Sequence, residues 1–329
     1  MNSHTSFARR SRRIGSNAIV IVVAALASRG YFMFPRIPCR GVALAATSGD
    51  GAPLPAHAAP AAGTRSHVPP ASPSPAAPNG RSSLGVRSRI ALVLDADTSK
   101  ELLVKNADRV VPIASITKLM TAMVVLDARL PMDETLKIGD EDRDLVMATT
   151  SRLRVGWSLT REDMLHLALM SSENRAAAAL SRCYPGGRAA FIAAMNAKAV
   201  QLGMTKTHFV SPNGLTNENV STAFDLAKLV RAAAQYPLIR EFTTDPHHDL
   251  RIGRYTLLFV NSNRLVGRPD WDIELQKTGY TNEAGRCLVM LLKTEGRSLI
   301  MVFLDADGKL TRFADARRAL TQVALAEKR

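Results

Sequence analysis

Cysteine is scarce in this 329-residue chain: three residues, too few for a disulfide framework or a cysteine metal cluster. No internal repeat and no glycine-rich phosphate loop is present. Acidic residues are nearly missing from the start, where residues 1–90 hold eleven arginines and one acid, Asp50. That segment therefore carries +10 of the formal +14, leaving only +4 for the rest. A basic excess so confined does not require a nucleic-acid-binding face, and no nucleic-acid partner is expected. What is there is ordinary for a chain with a buried core: 46% hydrophobic and 22% charged residues. Those fractions exclude a wholly disordered chain, a collagen and a small disulfide scaffold.

Arg9, Arg10, Arg12 and Arg13 precede an apolar stretch from Ala18 to Ala27. A basic start and about ten apolar residues make a secretory signal, short of the ~20 residues of a membrane span. Val42-Ala43-Leu44-Ala45-Ala46 offers a small-residue cleavage site, so residues 1–46 read as a leader and the mature protein as periplasmic. A retained membrane anchor is the alternative, and Cys39 falls within the leader. Residues 47–85 are Ala, Pro, Ser and Gly with almost no large apolar residue, too little to offset ordering entropy. They read as a flexible linker.

Residues 86–329 carry the pattern of a folded domain. Ile90 to Leu94 and Leu102 to Val104 form a hairpin about the Asp97–Lys100 turn. Leu119, Met120, Met123, Val124 and Leu126 recur at helical spacing, with Ser115 at the helix start. A second helix opens at Thr160, a good N-cap, and its near-continuous apolar run from Met164 to Met170 predicts burial. Further helices are predicted over 174–182, 188–202 and 222–235. Strands return over 271–277, 287–292 and 299–304, before a terminal helix over 311–326. Strands at both ends with a helical cluster inserted between predict an α/β (α+β) fold.

Three short motifs carry the chemistry. In Ser115-Ile116-Thr117-Lys118 the lysine lies one helical turn from the serine, within reach of its hydroxyl. A serine is a weak nucleophile until a neighbouring base takes its proton, and burial beside another cation makes a lysine neutral enough to do so. In Ser172-Glu173-Asn174 the serine can relay a proton, and the asparagine offers a donor and an acceptor to a peptide-like substrate. Lys277-Thr278-Gly279 ends an alternating strand; its first two side chains can hold a carboxylate, and its glycine admits a close backbone. The similar Ser211-Pro212-Asn213 runs into Gly214 and reads as a structural turn.

Together the motifs resemble the signature of serine penicillin-recognising enzymes, whose serine β-lactamase/transpeptidase-like fold, an antiparallel sheet flanked by helices, they imply. Residues 114–121 resemble the nucleophile helix of peptidase family S11, the D-alanyl-D-alanine carboxypeptidases. Residues 170–178 and 276–286 resemble its small D,D-endopeptidases of the penicillin-binding protein 7 type. The similarity runs from Arg89 to the C-terminus. It implies a serine D,D-peptidase that hydrolyses D-Ala amide bonds of peptidoglycan through an acyl-enzyme and binds penicillin covalently. By the same resemblance Ser115 is the nucleophile and Lys118 its base, while Ser172 protonates the leaving amine and Asn174 holds the substrate amide. Lys277 and Thr278 bind the terminal carboxylate, Gly279 completes the motif, and the N–H groups of Ser115 and Tyr280 form the oxyanion hole. Peptidoglycan stem peptides, crosslinks and β-lactams are the implied partners of a monomer needing no metal and no cofactor.

Many carboxypeptidase relatives have Gly where Glu173 stands; the carboxylate either tunes the site or points to solvent. Only 50 residues follow Gly279, without a further β domain, which favours the endopeptidase branch. A class A-like β-lactamase is the rival reading; it needs a second carboxylate, and Glu218 lies in a polar turn. A non-catalytic penicillin-recognising wall-binding domain would have lost a motif side chain, and none is lost. His166 reads as a hydrogen-bonded core residue and His247-His248-Asp249 as a polar loop. Cys183 and Cys287 read as two buried thiols, a bridge between them being the alternative.

Overall fold

The protein is described by a computed structural model over residues 85–144 and 149–327. The leader, Cys39 and the linker up to residue 84 lie outside the described residues.

The chain runs β1 (Ile90–Asp95), β2 (Glu101–Lys105), β3 (Val111–Pro112), then α1 (Thr117–Asp127). Next come β4 (Thr135–Lys137), β5 (Ser158–Thr160), α2 (Arg161–Met170), α3 (Asn174–Arg182) and α4 (Gly187–Gln201). After β6 (Val220–Ser221) follow α5 (Ala223–Ala233), α6 (Pro237–Thr244) and the hairpin β7 (His247–Ile252) and β8 (Tyr255–Val260). The chain closes with β9 (Asp272–Thr281), β10 (Gly285–Thr294), β11 (Arg297–Ala306) and α7 (Thr311–Glu327).

Alternation along the long strands explains the layers. Ile90, Leu92, Val289, Leu291, Ile300 and Val302 face one core, and Ala91, Val93, Leu288, Met290, Met301 and Phe303 face another. The first core holds the helical cluster; the second is closed by Phe313, Ala316, Ala319 and Val323 of α7. A sheet covered on both faces needs strands apolar at every position, which is why these runs look continuous in sequence. The five strands lie in the order β2-β1-β11-β10-β9, and every pairing is antiparallel. The two ends of the domain thus meet in one sheet, and β9 is left at its edge.

α1 is buried from Thr117 through Val125, so it is wrapped on all sides. α2 opens at Thr160, whose hydroxyl accepts from the Asp163 N–H, and it is buried from Met164 to Met170. The polar-loop reading of 247–249 is corrected: these residues lie on β7, paired in register with β8, His247 opposite Val260 and His248 opposite Phe259. Sequence polarity hid the strand because much of this hairpin faces water, with Tyr255, Leu258 and Val260 exposed. His166 is a core residue, stacked on Phe242 at 4.3 Å with Nε2 2.9 Å from Asp245. Burial pushes its imidazole down to about 4. Cys287 is a free buried thiol whose pKa burial raises to about 12, so it does not pair with Cys183. Cys183 is half-buried and disulfide-bonded, so the expectation of two buried thiols holds for Cys287 and not for Cys183.

Candidate active site

The segment bearing Ser115 is bent before it becomes helix. Ala114–Ile116 form a 3-10 turn leading into α1, and Ala114 takes the left-handed backbone at φ 46°. A non-glycine residue there costs about 1–3 kcal/mol unless its surroundings impose it. Two glycines supply those surroundings. A Cβ at Gly279 would lie 3.1 Å from the Ala114 Cβ, the Ile113 oxygen and the Ser115 nitrogen, and one at Gly214 would overlap the Ala114 carbonyl. Edge strand β9 and the 213–214 turn therefore close on the serine from two sides. β3 pairs with β6, and the Ile113 N–H donates to the Asn219 carbonyl at 3.1 Å, which pins the segment from a third.

At the second residue of α1, Lys118 has no solvent exposure. Its Nζ lies 2.7 Å from Ser115 Oγ, 2.8 Å from Asn174 Oδ1 and 2.8 Å from the Asn213 carbonyl. Two of these partners can only accept, and the third is a hydroxyl that can donate. A neutral amine, with two N–H bonds and one lone pair, fits that set: two donations to the carbonyl oxygens and acceptance of the serine proton. Burial first, and the cation of Lys277 second, hold the Lys118 pKa well below the ordinary lysine value; Glu173 opposes them. Both physical causes favour the amine that can act as a base.

Lys277 is equally buried and donates to the Thr278 carbonyl at 3.1 Å. Burial and the nearby Arg312 guanidinium bring its pKa down to about 7. Arg312, at the start of α7, is 7% exposed, and its Nε makes no hydrogen bond among the described residues. Its own pKa falls to about 10 through burial and the charges of Arg286 and Arg264. Thr278 Oγ1 lies 2.7 Å from Ser262 Oγ, and the Ser262 N–H donates to the Met170 carbonyl at the end of α2. Ser262 thus joins the end of α2, two residues before the second motif, to the third motif. The Tyr280 side chain is half exposed, with Arg286 over its ring at 4.2 Å.

Ser172 occupies the turn between α2 and α3 at φ 65°, and its hydroxyl makes no hydrogen bond among the described residues. It is half-buried and open to a substrate. Asn174 begins α3 and presents its oxygen to Lys118 while its nitrogen donates to Thr149 Oγ1 at 3.1 Å. Glu173 does not point to solvent: it is 9% exposed, and burial raises its pKa against the hydrogen bonds from Ser151 and Arg152. Glu218 is exposed and outside this cluster.

Three participants escaped the sequence reading. The Ser211-Pro212-Asn213 turn, assigned to structure alone, puts the Asn213 carbonyl on Lys118. Asn219, buried, holds that turn by accepting from the Val210 and Ser211 N–H groups and donating to Thr117 Oγ1. Arg312 is distant in sequence from Lys277, and no local pattern announces it. For Asn213 a signal existed in the Asn-Gly turn, but a backbone carbonyl leaves no mark on residue choice. No cluster of three or more metal-ligating side chains occurs among the described residues.

A sheet whose edge strand backs onto a serine in contact with a buried lysine amine matches the architecture that the sequence motifs imply. Residues 76–308 match the family described as D-alanyl-D-alanine carboxypeptidase, peptidase S11. The chain belongs to that family. It is 54% identical over 230 residues to the D-alanyl-D-alanine endopeptidase of Pseudomonas aeruginosa, covering 69% of this chain and 74% of that one. The D-alanyl-D-alanine endopeptidase of Escherichia coli is 51% identical over 240 residues, or 72% of this chain and 77% of that one. Among solved structures, ampicillin-bound penicillin-binding protein D2 from Listeria monocytogenes matches with TM-score 0.64 at 32% identity, over 73% of this chain and 98% of that one. The fold is therefore that of the penicillin-binding D,D-peptidases.

Proposed function

We propose that this serine D,D-peptidase cleaves peptidoglycan D-Ala amide bonds by the following steps, with a preference for crosslinks. The observation that carries the chemistry is the 2.7 Å contact between a fully buried Lys118 amine and Ser115 Oγ. Lys118 takes the hydroxyl proton as Ser115 Oγ bonds to the D-Ala carbonyl carbon. The N–H groups of Ser115 and Tyr280 stabilise the oxyanion, a contribution of about 3–4 kcal/mol per donor in comparable sites. The C–N bond breaks as the proton passes through Ser172 to the departing amine, leaving an ester on Ser115. Water then attacks the ester, and the serine regains its proton. Asn174 holds the substrate amide. Thr278 binds the free carboxylate of the D-centre on the leaving side, and the buried Lys277 and Arg312 contribute their charge to that pocket. β-Lactams acylate the same serine.

The crosslink preference is supported by the identity to two proteins named endopeptidases, 54% and 51%, against 31% to a carboxypeptidase of Bacillus subtilis. The basic start and apolar stretch of the chain support export to the periplasm. Digestion of purified muropeptides tests the preference: crosslinked dimers fall to monomers. Loss of D-alanine from pentapeptides with intact dimers overturns it.

A further inference from the structure

One buried carboxylate beside the reacting groups has no part in the steps above. Glu173 stands between Ser172 and Asn174, and burying an anion is costly unless it is well hydrogen-bonded. Its partners all lie on the segment 149–153. Ser151 Oγ is 3.0 and 2.9 Å from the two carboxylate oxygens, and the Arg152 N–H donates to the group as well. The neighbours of Glu173 grip the same segment: Asn174 Nδ2 donates to Thr149 Oγ1 at 3.1 Å, and Arg175 Nη1 to the Leu153 carbonyl at 2.6 Å. Arg152 fastens the far side by donating to the Leu258 carbonyl at 2.6 Å and stacking over Phe259 at 3.7 Å.

The Thr149 contact matters because an asparagine amide can be turned over. With Nδ2 committed to Thr149, Oδ1 is the atom left for Lys118, and it lies there at 2.8 Å. Displacing the segment frees the amide to rotate and takes one obligate acceptor from the base.

We propose that Glu173 is a positioning residue, fastening the segment 149–153 to the start of α3 so that Asn174 keeps its amide oxygen on Lys118. This rests on Lys118 activating Ser115 as described above. Glu173 also carries the negative charge that faces Lys118, against the positive charge of Lys277 from β9; Arg175 on α3 is the further charge beside Glu173. The electrostatic consequence has a definite sign. Removing the carboxylate charge lowers the Lys118 pKa further, so the acid limb of acylation moves to lower pH.

The test is the rate of acylation of the full-length protein by a fluorescent penicillin, measured against pH. Glu173→Ala slows acylation about tenfold, the scale of one lost buried hydrogen bond to a charged group. Ser151→Ala, which deletes the same bond from the other side, slows it comparably, and the double variant loses little more. Glu173→Gln keeps an oxygen for Ser151 and Arg152, so its rate recovers to within about threefold of wild type while its acid limb moves down. Wild-type rates in both alanine variants, a glutamine variant as slow as Glu173→Ala, or an unmoved acid limb in Glu173→Gln would overturn the proposal. Should Glu173→Ala not fold, Ser151→Ala and Glu173→Gln decide it. A Ser115→Ala control that still acquires covalent label marks failure of the nucleophile assignment instead.

Discussion

Two lysines, each with no solvent exposure, are coupled in charge at this site, Lys118 on α1 beside Ser115 and Lys277 on β9, and the contrast between them is instructive. Lys118 comes from a helix buried on every side and meets three oxygen atoms, two of them obligate acceptors. Lys277 comes from an edge strand, and its amine donates, among the described residues, to the carbonyl of Thr278 alone. Both pKa values are lowered by burial, yet the second cation acting on each differs: Lys277 acts on Lys118, and Arg312 acts on Lys277. Positive charge is thus stacked outward from the base, and each cation weakens the proton affinity of the one inside it. A single buried lysine meets desolvation alone; a second cation beside it lowers its proton affinity further.

The largest break in that contrast comes from the helical wall. Lys118→Arg keeps a cation but removes the base, because guanidinium does not deprotonate in proteins. Acylation by a chromogenic β-lactam should fall by about 10²–10⁴, the usual span of general-base catalysis. A loss under tenfold would transfer the base to another group.

Next comes the strand wall. Lys277→Met keeps the apolar stem and removes the charge that lowers the Lys118 pKa, so the acid limb of acylation moves to higher pH. The effect is strongest below pH 7, where Lys277 is charged, given its pKa of about 7. The same variant separates activity from stability. Between about 7 and the unfolded value near 10.4 the unfolded chain binds the Lys277 proton and the folded one does not. Wild-type stability therefore rises with pH across that window. The methionine variant melts higher than wild type at neutral pH, and the gain fades as pH climbs through the window. A variant that melts lower at pH 6 would contradict the sign.

The smallest effect is expected where the walls touch. Gly279→Ala places a methyl group 3.1 Å from Ala114 and Ser115, tighter than an ordinary contact, so β9 must shift by a few tenths of an ångström. Acylation should drop about tenfold, since small misplacements of reacting groups are expensive, with the acid limb unmoved. Movement of that limb would mean that the glycine also sets the electrostatics.

How much of this could be read beforehand depended on range. The Ser115–Lys118 pair was legible because three residues make one helical turn, and backbone geometry alone brings the side chains together. β1, β10 and β11 were legible because strands covered on two faces are apolar throughout. Glu173 was not, since a carboxylate after a turn is equally consistent with solvent, and only the arrival of Ser151 and the Arg152 N–H gives it a buried partner set. Asn213 contributes a main-chain oxygen, and every residue has one to offer, so its identity carries no signal. The hairpin of β7 and β8 was misread because its polar face outnumbers its buried one.

By itself the sequence determined the three motifs and their order, and local periodicity determined the helical spacing of Ser115 and Lys118 and the apolar runs of the central strands. Tertiary structure alone decided that Lys118 lies among three oxygens and two opposed charges. The reason is physical: proton affinity is set by desolvation and by charges within a few ångströms, and here those come from residues distant along the chain.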